Sequence, residues 1–252
     1  MLETIGFTTQ MARWAVATDT EIGRVLQTDG AVAHVLTEAG VVRAGAGGDL
    51  LSLVATDPSA APVPGDWVVV RHWPDHRDTV TRVLPRRGAL AWAPEVSVAP
   101  TPLCTHVDVV AIAVRGSAGL DVAAAASGAR PVVPGVAPVL ALVGADPVGT
   151  DLTRASPDLE VVHAGSWPEV APRLREMVAG RRTIAVLGPR TRDRTALLAA
   201  LVGTPVLRRP REAPASGASP ILVPLPGGGA AIDPGPAAWR HQRPRLAPVR
   251  RP

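Results

Sequence analysis

The chain has 252 residues, enough for one large or two modest domains, and its hydrophobic share of 46% is that of a globular protein. All 26 basic residues are arginine, so any nucleotide motif that needs a lysine ammonium is missing that group from the start. The single cysteine, Cys104, excludes a disulfide framework and a cysteine zinc cluster within the chain. The start Met1-Leu2-Glu3-Thr4 lacks a basic region followed by an apolar run, and the uncharged stretch 131–145 is too short and too proline-rich to span a bilayer. The expectation is therefore a soluble, cytoplasmic protein with no membrane partner.

Charge is unevenly placed. Residues 1–180 hold 13 Arg against 19 acids, and residues 181–252 hold 13 Arg against 3 acids, giving −6 and +10. A basic C-terminal portion points to an anionic partner such as phosphate, nucleic acid or an acidic protein face. Residues 1–21 read as an N-terminal segment and residues 237–252 as a disordered basic tail.

Residues 22–92 read as a small all-β unit. Ile22–Thr28, Ala31–Leu36 and Val41–Ala44 are short Val-containing runs punctuated by Asp29-Gly30 and Ala39-Gly40. Asp66–His72 and Asp78–Leu84 form a further pair across Pro74-Asp75, and Pro62-Val63-Pro64-Gly65 breaks the chain before them. Five short strands in this length fit an OB-type barrel, and an SH3-like barrel would look much the same.

From residue 105 to 236 the pattern becomes strand–helix alternation. Val107–Val114 is a nearly continuous apolar run, as in a parallel sheet covered on both faces. Val139–Val143, Leu159–His163 and Thr183–Leu187 repeat that signal. Pro168–Ala179 has helical period through Val170, Leu174 and Val178. A polar loop after Leu187 leads to a second helix over Thr195–Val202. Residues 204–220 are rich in Pro, Ala, Ser and Arg, and Ile221–Leu225 and Ala230–Asp233 close the unit around Gly227-Gly228-Gly229. The fold class expected is an all-β OB-type barrel followed by an α/β P-loop domain.

Four strings carry a resemblance: Pro64-Gly65-Asp66-Trp67-Val68, Val83-Leu84-Pro85-Arg86-Arg87, Val107-Asp108-Val109-Val110 and Leu222-Val223-Pro224-Leu225-Pro226-Gly227-Gly228-Gly229. Together they make the chain resemble the ribosome small-subunit-dependent GTPase A family, whose GTPase motifs are circularly permuted. The resemblance implies a guanine-nucleotide site with Mg²⁺ and GTP or GDP as ligands, and the small ribosomal subunit and its rRNA as partners. It also implies a helical zinc-binding module beyond Asp233, whereas the one cysteine of this sequence, Cys104, lies before that point.

Carried onto this chain, the family's phosphate loop, GxxxxGK[ST], falls on residues 188–195. Gly188 keeps the first glycine and Thr195 the Mg²⁺-bearing hydroxyl. Asp193 replaces the second glycine and Arg194 the lysine. A phosphate cradle points successive backbone amides at the ligand from a helix N-terminus, and glycine allows the close approach. Asp193 adds a side chain and a like charge there, and Pro189 removes an amide. The base-reading motif falls on Val143–Asp146, where Asp146 survives but Gly144 replaces the lysine. The family's Ser-Ala pair is met only by Ser166. The DTPG segment is met by Asp233-Pro234-Gly235, with Asp233 left to serve Mg²⁺ together with Thr195. The switch threonines and histidine are replaced by Ala215–Ala218, and the helix after the first GTPase strand is reduced to the alanine-rich 119–129.

No residue is assigned a catalytic role, and GTP binding and hydrolysis are expected to be weakened or lost. Phosphoryl transfer is almost wholly positioning and electrostatics, which these changes remove. Two alternatives are an active GTPase assisting 30S maturation with arginines in place of the motif lysines, and an OB-fold RNA binder needing no nucleotide. The last would use Arg82, Arg86 and Arg87, with Trp67 and Trp73 as stacking surfaces. Against it, residues 22–90 balance 7 Arg with 7 acids.

Overall fold

A computed structural model describes residues 1–15, 17–92, 101–115, 136, 138–144, 160–203 and 220–235. The expectations placed on the alanine-rich helix at 119–129, Asp146, Leu159, residues 215–218 and the basic tail lie outside these residues.

A short 3₁₀ turn (Leu2–Ile5) and a one-turn helix α1 (Thr9–Ala12) precede the barrel. Its strands are β1 (Thr20–Asp29), β2 (Val32–Thr37), β3 (Gly40–Ala46), β4 (Trp67–His72) and β5 (Asp78–Val83). They pair in the cyclic order β1-β2-β3-β5-β4 and back to β1, with β3–β5 the one parallel contact. This closed five-strand order decides between the two barrels that the sequence left open, in favour of the OB type. Helix α2 (Gly48–Thr56) fills the connection from β3 toward β4 and sinks Leu50 into the barrel core of Val25, Val35, Val68, Val70 and Val80.

A hairpin of β6 (Leu90–Trp92) and β7 (Thr101–Cys104) leads out of the barrel. The α/β unit follows: β8 (Val109–Arg115), β9 (Pro138–Val143), β10 (Glu160–Ala164), α3 (Trp167–Val178), β11 (Thr183–Leu187), α4 (Thr191–Val202), β12 (Ile221–Pro224) and β13 (Ala230–Asp233). Strands β10-β9-β8-β11-β13 run parallel, and β12 adds antiparallel beside β13. Their near-continuous Val, Ile, Leu and Ala make one face for α3 and α4 and another for Leu90, Cys104 and Leu222. Burial in this core pushes the Cys104 thiol far up, so it behaves as a small apolar group.

The two units are joined through backbone and through one buried cation. Gln27 of β1 pairs with Ile221 of β12, so barrel and α/β strands form one eleven-stranded sheet. Arg24, 1% exposed, donates from Nε to the Gly65 carbonyl, from Nη2 to Thr183 Oγ1 at 2.7 Å and from Nη1 to the Ile5 carbonyl. Its guanidinium also lies 5.2 Å from the Trp67 ring. Trp67 is itself 1% exposed, so it belongs to the core and offers no stacking surface.

Helix α4 departs from the sequence expectation. It begins at Thr191, not Thr195. No glycine interrupts Thr191–Arg194 to hold the backbone out of the helix, and Asp193 in the first turn is favoured by the positive end of the helix dipole.

Candidate functional site

In an open parallel sheet, ligands bind beyond the carboxyl ends of the strands where the chain order reverses. Here β8 is followed by β9 and β10 on one side, and the chain then crosses to β11 on the other. The carboxyl edge at that point brings together Arg115 at the end of β8, Gly188 after β11, Asp193 and Arg194 on α4, and Asp233 at the end of β13.

Gly188 sits at φ 153°, and a Cβ there would collide with the Ala113 carbonyl oxygen. The chain then enters α4 within three residues, with Arg190 as N-cap. The amides of Asp193 and Arg194 donate to the Arg190 carbonyl at 3.1 and 3.3 Å. These amides would have to point at a phosphate in a GxxxxGK[ST] cradle; they are spent in the helix instead.

Arg194 is 1% exposed. Its guanidinium donates to Asp233 Oδ1 at 3.3 Å, to the Gly188 carbonyl at 2.9 Å and to Thr191 Oγ1 at 3.3 Å. Asp233 Oδ1 also accepts from the Gly235 amide at 2.9 Å. The Arg194 cation is thus turned back onto the Gly188 carbonyl and onto the carboxylate of the Asp233-Pro234-Gly235 turn. Thr195 lies half-buried on the next turn of α4.

Asp193 faces inward, with 2% of its side chain exposed, and pairs with Arg115 Nε at 3.2 Å. Its Oδ2 has no hydrogen-bond partner among the described residues. Arg115 also lies 5.6 Å from the ring of Trp167 at the start of α3. Ser166 is the N-cap of α3: its hydroxyl donates to Glu169 Oε1 at 2.6 Å, and Glu169 Oε2 accepts from the Gly165 amide at 3.2 Å. Ser166 is thus tied to the Glu169 carboxylate in the first turn of α3 and makes no side-chain bond to a backbone amide, which accounts for its hydroxyl by a contact local to the helix start. Gly144 closes β9, and its carbonyl receives His163 Nε2 at 2.9 Å.

The three arginines at the end of the barrel have different surroundings. Arg86 donates from Nε and Nη2 to the fully buried Asp66, and its remaining nitrogen bonds go to the carbonyls of Ser59 and Ala61. Asp66 in turn accepts from Thr105 Oγ1 at 2.7 Å and the Val63 amide at 2.9 Å. Arg86 therefore ties the chain after β5 to the connection between α2 and β4. Arg82 is exposed and stacks 5.5 Å from Trp14, and Arg87 is exposed with no hydrogen bond or ion pair from its guanidinium among the described residues. Trp73, 39% exposed, carries the Arg71 guanidinium 4.2 Å from its ring. Arg24, Arg115 and His106 were missed by sequence reasoning, since nothing local marks a charged or polar residue for burial or for a partner far along the chain.

Among solved structures, the chain is similar to YjeQ from Thermotoga maritima, with TM-score 0.57 and 16% identity over 85% of this chain and 74% of that one. It is also similar to YloQ, a circularly permuted GTPase, with TM-score 0.53 and 15% identity over 86% of this chain and 71% of that one. No family model and no curated protein matches the sequence. The chain thus has the fold of the circularly permuted GTPases, an OB-type barrel with a GTPase-type α/β unit. At this level of identity the likeness extends to the fold. Among the described residues no helix is long and apolar enough to cross a membrane.

Proposed function

We propose that this chain is a GTP-independent relative of the ribosome small-subunit-dependent GTPases, retained as a binding protein on the small ribosomal subunit. The observation that carries the reading is the buried Arg194 guanidinium, bonded at once to Gly188, Thr191 and Asp233. A triphosphate and its Mg²⁺ would need that space, the amides of Asp193 and Arg194, and a free Asp233 carboxylate. The residues present do not fit the group, and no hydrolytic step is assigned to the chain. An active enzyme using Arg194 in place of lysine would first have to break all three bonds and unwind the first turn of α4.

The small subunit as partner is supported by the resemblance of the four sequence strings, by the fold, and by the excess of ten positive charges after residue 180. Of the barrel residues that the sequence singles out for RNA, Arg82, Arg87 and Trp73 are exposed.

Titration with a fluorescent guanine nucleotide, with and without Mg²⁺, tests the first part. No saturable binding is expected; micromolar, Mg²⁺-dependent, guanine-preferring binding overturns the reading. A pull-down on purified 30S particles tests the second. Retention independent of a GTP analogue is expected, and no retention in either condition removes the partner.

A further inference from the structure

At the opposite edge of the α/β sheet, the amino ends of β8 and β11 meet the segment that leaves the barrel. Six residues of extended strand separate Val109 from Arg115, so this edge lies about 20 Å from the Arg194–Asp233 pair. The His106 amide donates to the Arg87 carbonyl at 2.6 Å and the Val107 amide to the Gly88 carbonyl at 3.0 Å. The Asp108 amide donates to the Thr183 carbonyl at 2.8 Å, and Asp108 Oδ2 accepts from the Thr183 amide at 2.8 Å. These bonds frame a cleft of about 410 Å³ lined by Arg87, His106, Asp108, Val136 and Arg182 among others.

His106 is anomalous in three respects. It is 6% exposed, yet neither ring nitrogen has a hydrogen-bond partner among the described residues. It is not glycine, yet it sits at φ 57°, the left-handed region. Buried polar groups are normally satisfied, and backbone held in a sparsely populated region concentrates at binding sites. Burial, followed by the nearby guanidinium groups of Arg24, Arg87 and Arg86, lowers its pKa to about 3. The ring is therefore neutral, with one N–H to donate and one lone pair to offer.

The cations around it are in surplus. The only bond from the Arg182 side chain among the described residues is a long one, 3.5 Å to the Met177 carbonyl. Arg87 has none. Asp108, the one acid in the lining, is engaged by the Thr183 amide and supports the charge on Arg24. Two exposed arginine forks thus flank a buried neutral imidazole that lacks an acceptor for its N–H.

We propose that this cleft binds a phosphate group, clamped by Arg87 and Arg182, with the buried His106 ring turning toward the cleft to donate its N–H to it. Guanidinium forks match phosphate oxygens bidentately, and the imidazole satisfies its donor without adding charge. The inference does not depend on the fate of the GTP site, because no residue is shared between the two edges.

The test is calorimetric titration of the native chain with inorganic phosphate, pyrophosphate and a short oligouridylate. Binding of at least one probe is expected. Arg87→Ala and Arg182→Ala should each weaken it about tenfold or more, the scale of one lost charge-assisted bond. Both side chains are exposed, so thermal melts should show the variants folded. Arg192→Ala, at the other edge, should leave binding unchanged. Binding of the inorganic anions identifies a small phosphate ligand; binding of the oligonucleotide alone identifies a strand phosphate. Imidazole ¹⁵N shifts of His106 should move on saturation. Absence of binding to all three probes, or undiminished binding in Arg87→Ala/Arg182→Ala, overturns the proposal.

Discussion

Arg194 and Asp233, 39 residues apart, meet at 3.3 Å beneath the Gly188 loop, with the arginine 1% exposed. Removing one member of a buried ion pair strands the other charge, which costs about 3–5 kcal/mol, whereas replacing both by apolar groups is often neutral. Asp233→Ala should lower stability by about that amount in urea denaturation. Arg194→Met in the same background should recover most of it. An Asp233→Ala variant as stable as the native chain would mean that the pair is not formed in solution.

Arg24 joins the barrel to the α/β unit through Gly65, Ile5 and Thr183. Burial lowers its pKa to about 10, partly offset by Asp108 and Asp66, so it stays charged at neutral pH. Arg24→Ala leaves buried acceptors unpaired at about 1–3 kcal/mol each and opens a cavity. The expected result is loss of several kcal/mol, with the two units no longer melting as one transition in calorimetry. A single unshifted transition would contradict this.

Two histidines give pH dependences of opposite sign. His72 Nδ1 lies 2.6 Å from Asp78 and Nε2 lies 2.8 Å from Glu21. The Asp78 hydrogen bond, chiefly, and Glu21 raise its pKa, against partial desolvation. Its contribution is full below the unfolded pKa of about 6.5 and is lost as pH rises through the raised folded value. For His106 the folded pKa of about 3 lies below the unfolded value, so stability falls as pH drops from about 6.5 toward 3. His72→Gln should flatten the stability profile above pH 6.5, and His106→Gln should flatten it on the acid side. Denaturation midpoints across pH check both. An unchanged profile in either variant would refute that half.

The barrel strands and the parallel strands were legible because alternation, apolar runs and turn residues are local signals. Gly30, Gly40 and Gly65, all at positive φ, mark the turns that the sequence placed there. What was not legible depends on distant partners. The burial of Arg24 rests on Thr183, 159 positions away, and that of Arg194 on Asp233. The parallel β3–β5 closure and the β1–β12 junction likewise have no local mark. In the sequence, positions 193 and 194 depart from the phosphate-loop pattern, and Asp193 reads there as a charge facing a ligand. In the fold the carboxylate turns to Arg115, and the missing glycine shows itself as an early start of α4.

If those two positions are what closes the cradle, reversing them should open it. Asp193→Gly/Arg194→Lys supplies the loop glycine and the ammonium of the GxxxxGK[ST] pattern and removes the guanidinium fork that holds Gly188, Thr191 and Asp233 together. Pyrophosphate should then bind at the carboxyl edge with Mg²⁺, measurably by calorimetry. Guanine preference should stay absent, because Gly144, which the resemblance aligns with the base-packing lysine, is unchanged. A double variant that binds no better than the native chain would show that other features close the segment.

The most direct measurement is a crystal of the native chain soaked with a GTP analogue and Mg²⁺. Arg194 is expected to remain bonded to Gly188 and Asp233, with no triphosphate density at residues 188–195. Ordered triphosphate density wrapped by those residues, with Arg194 displaced, would contradict it.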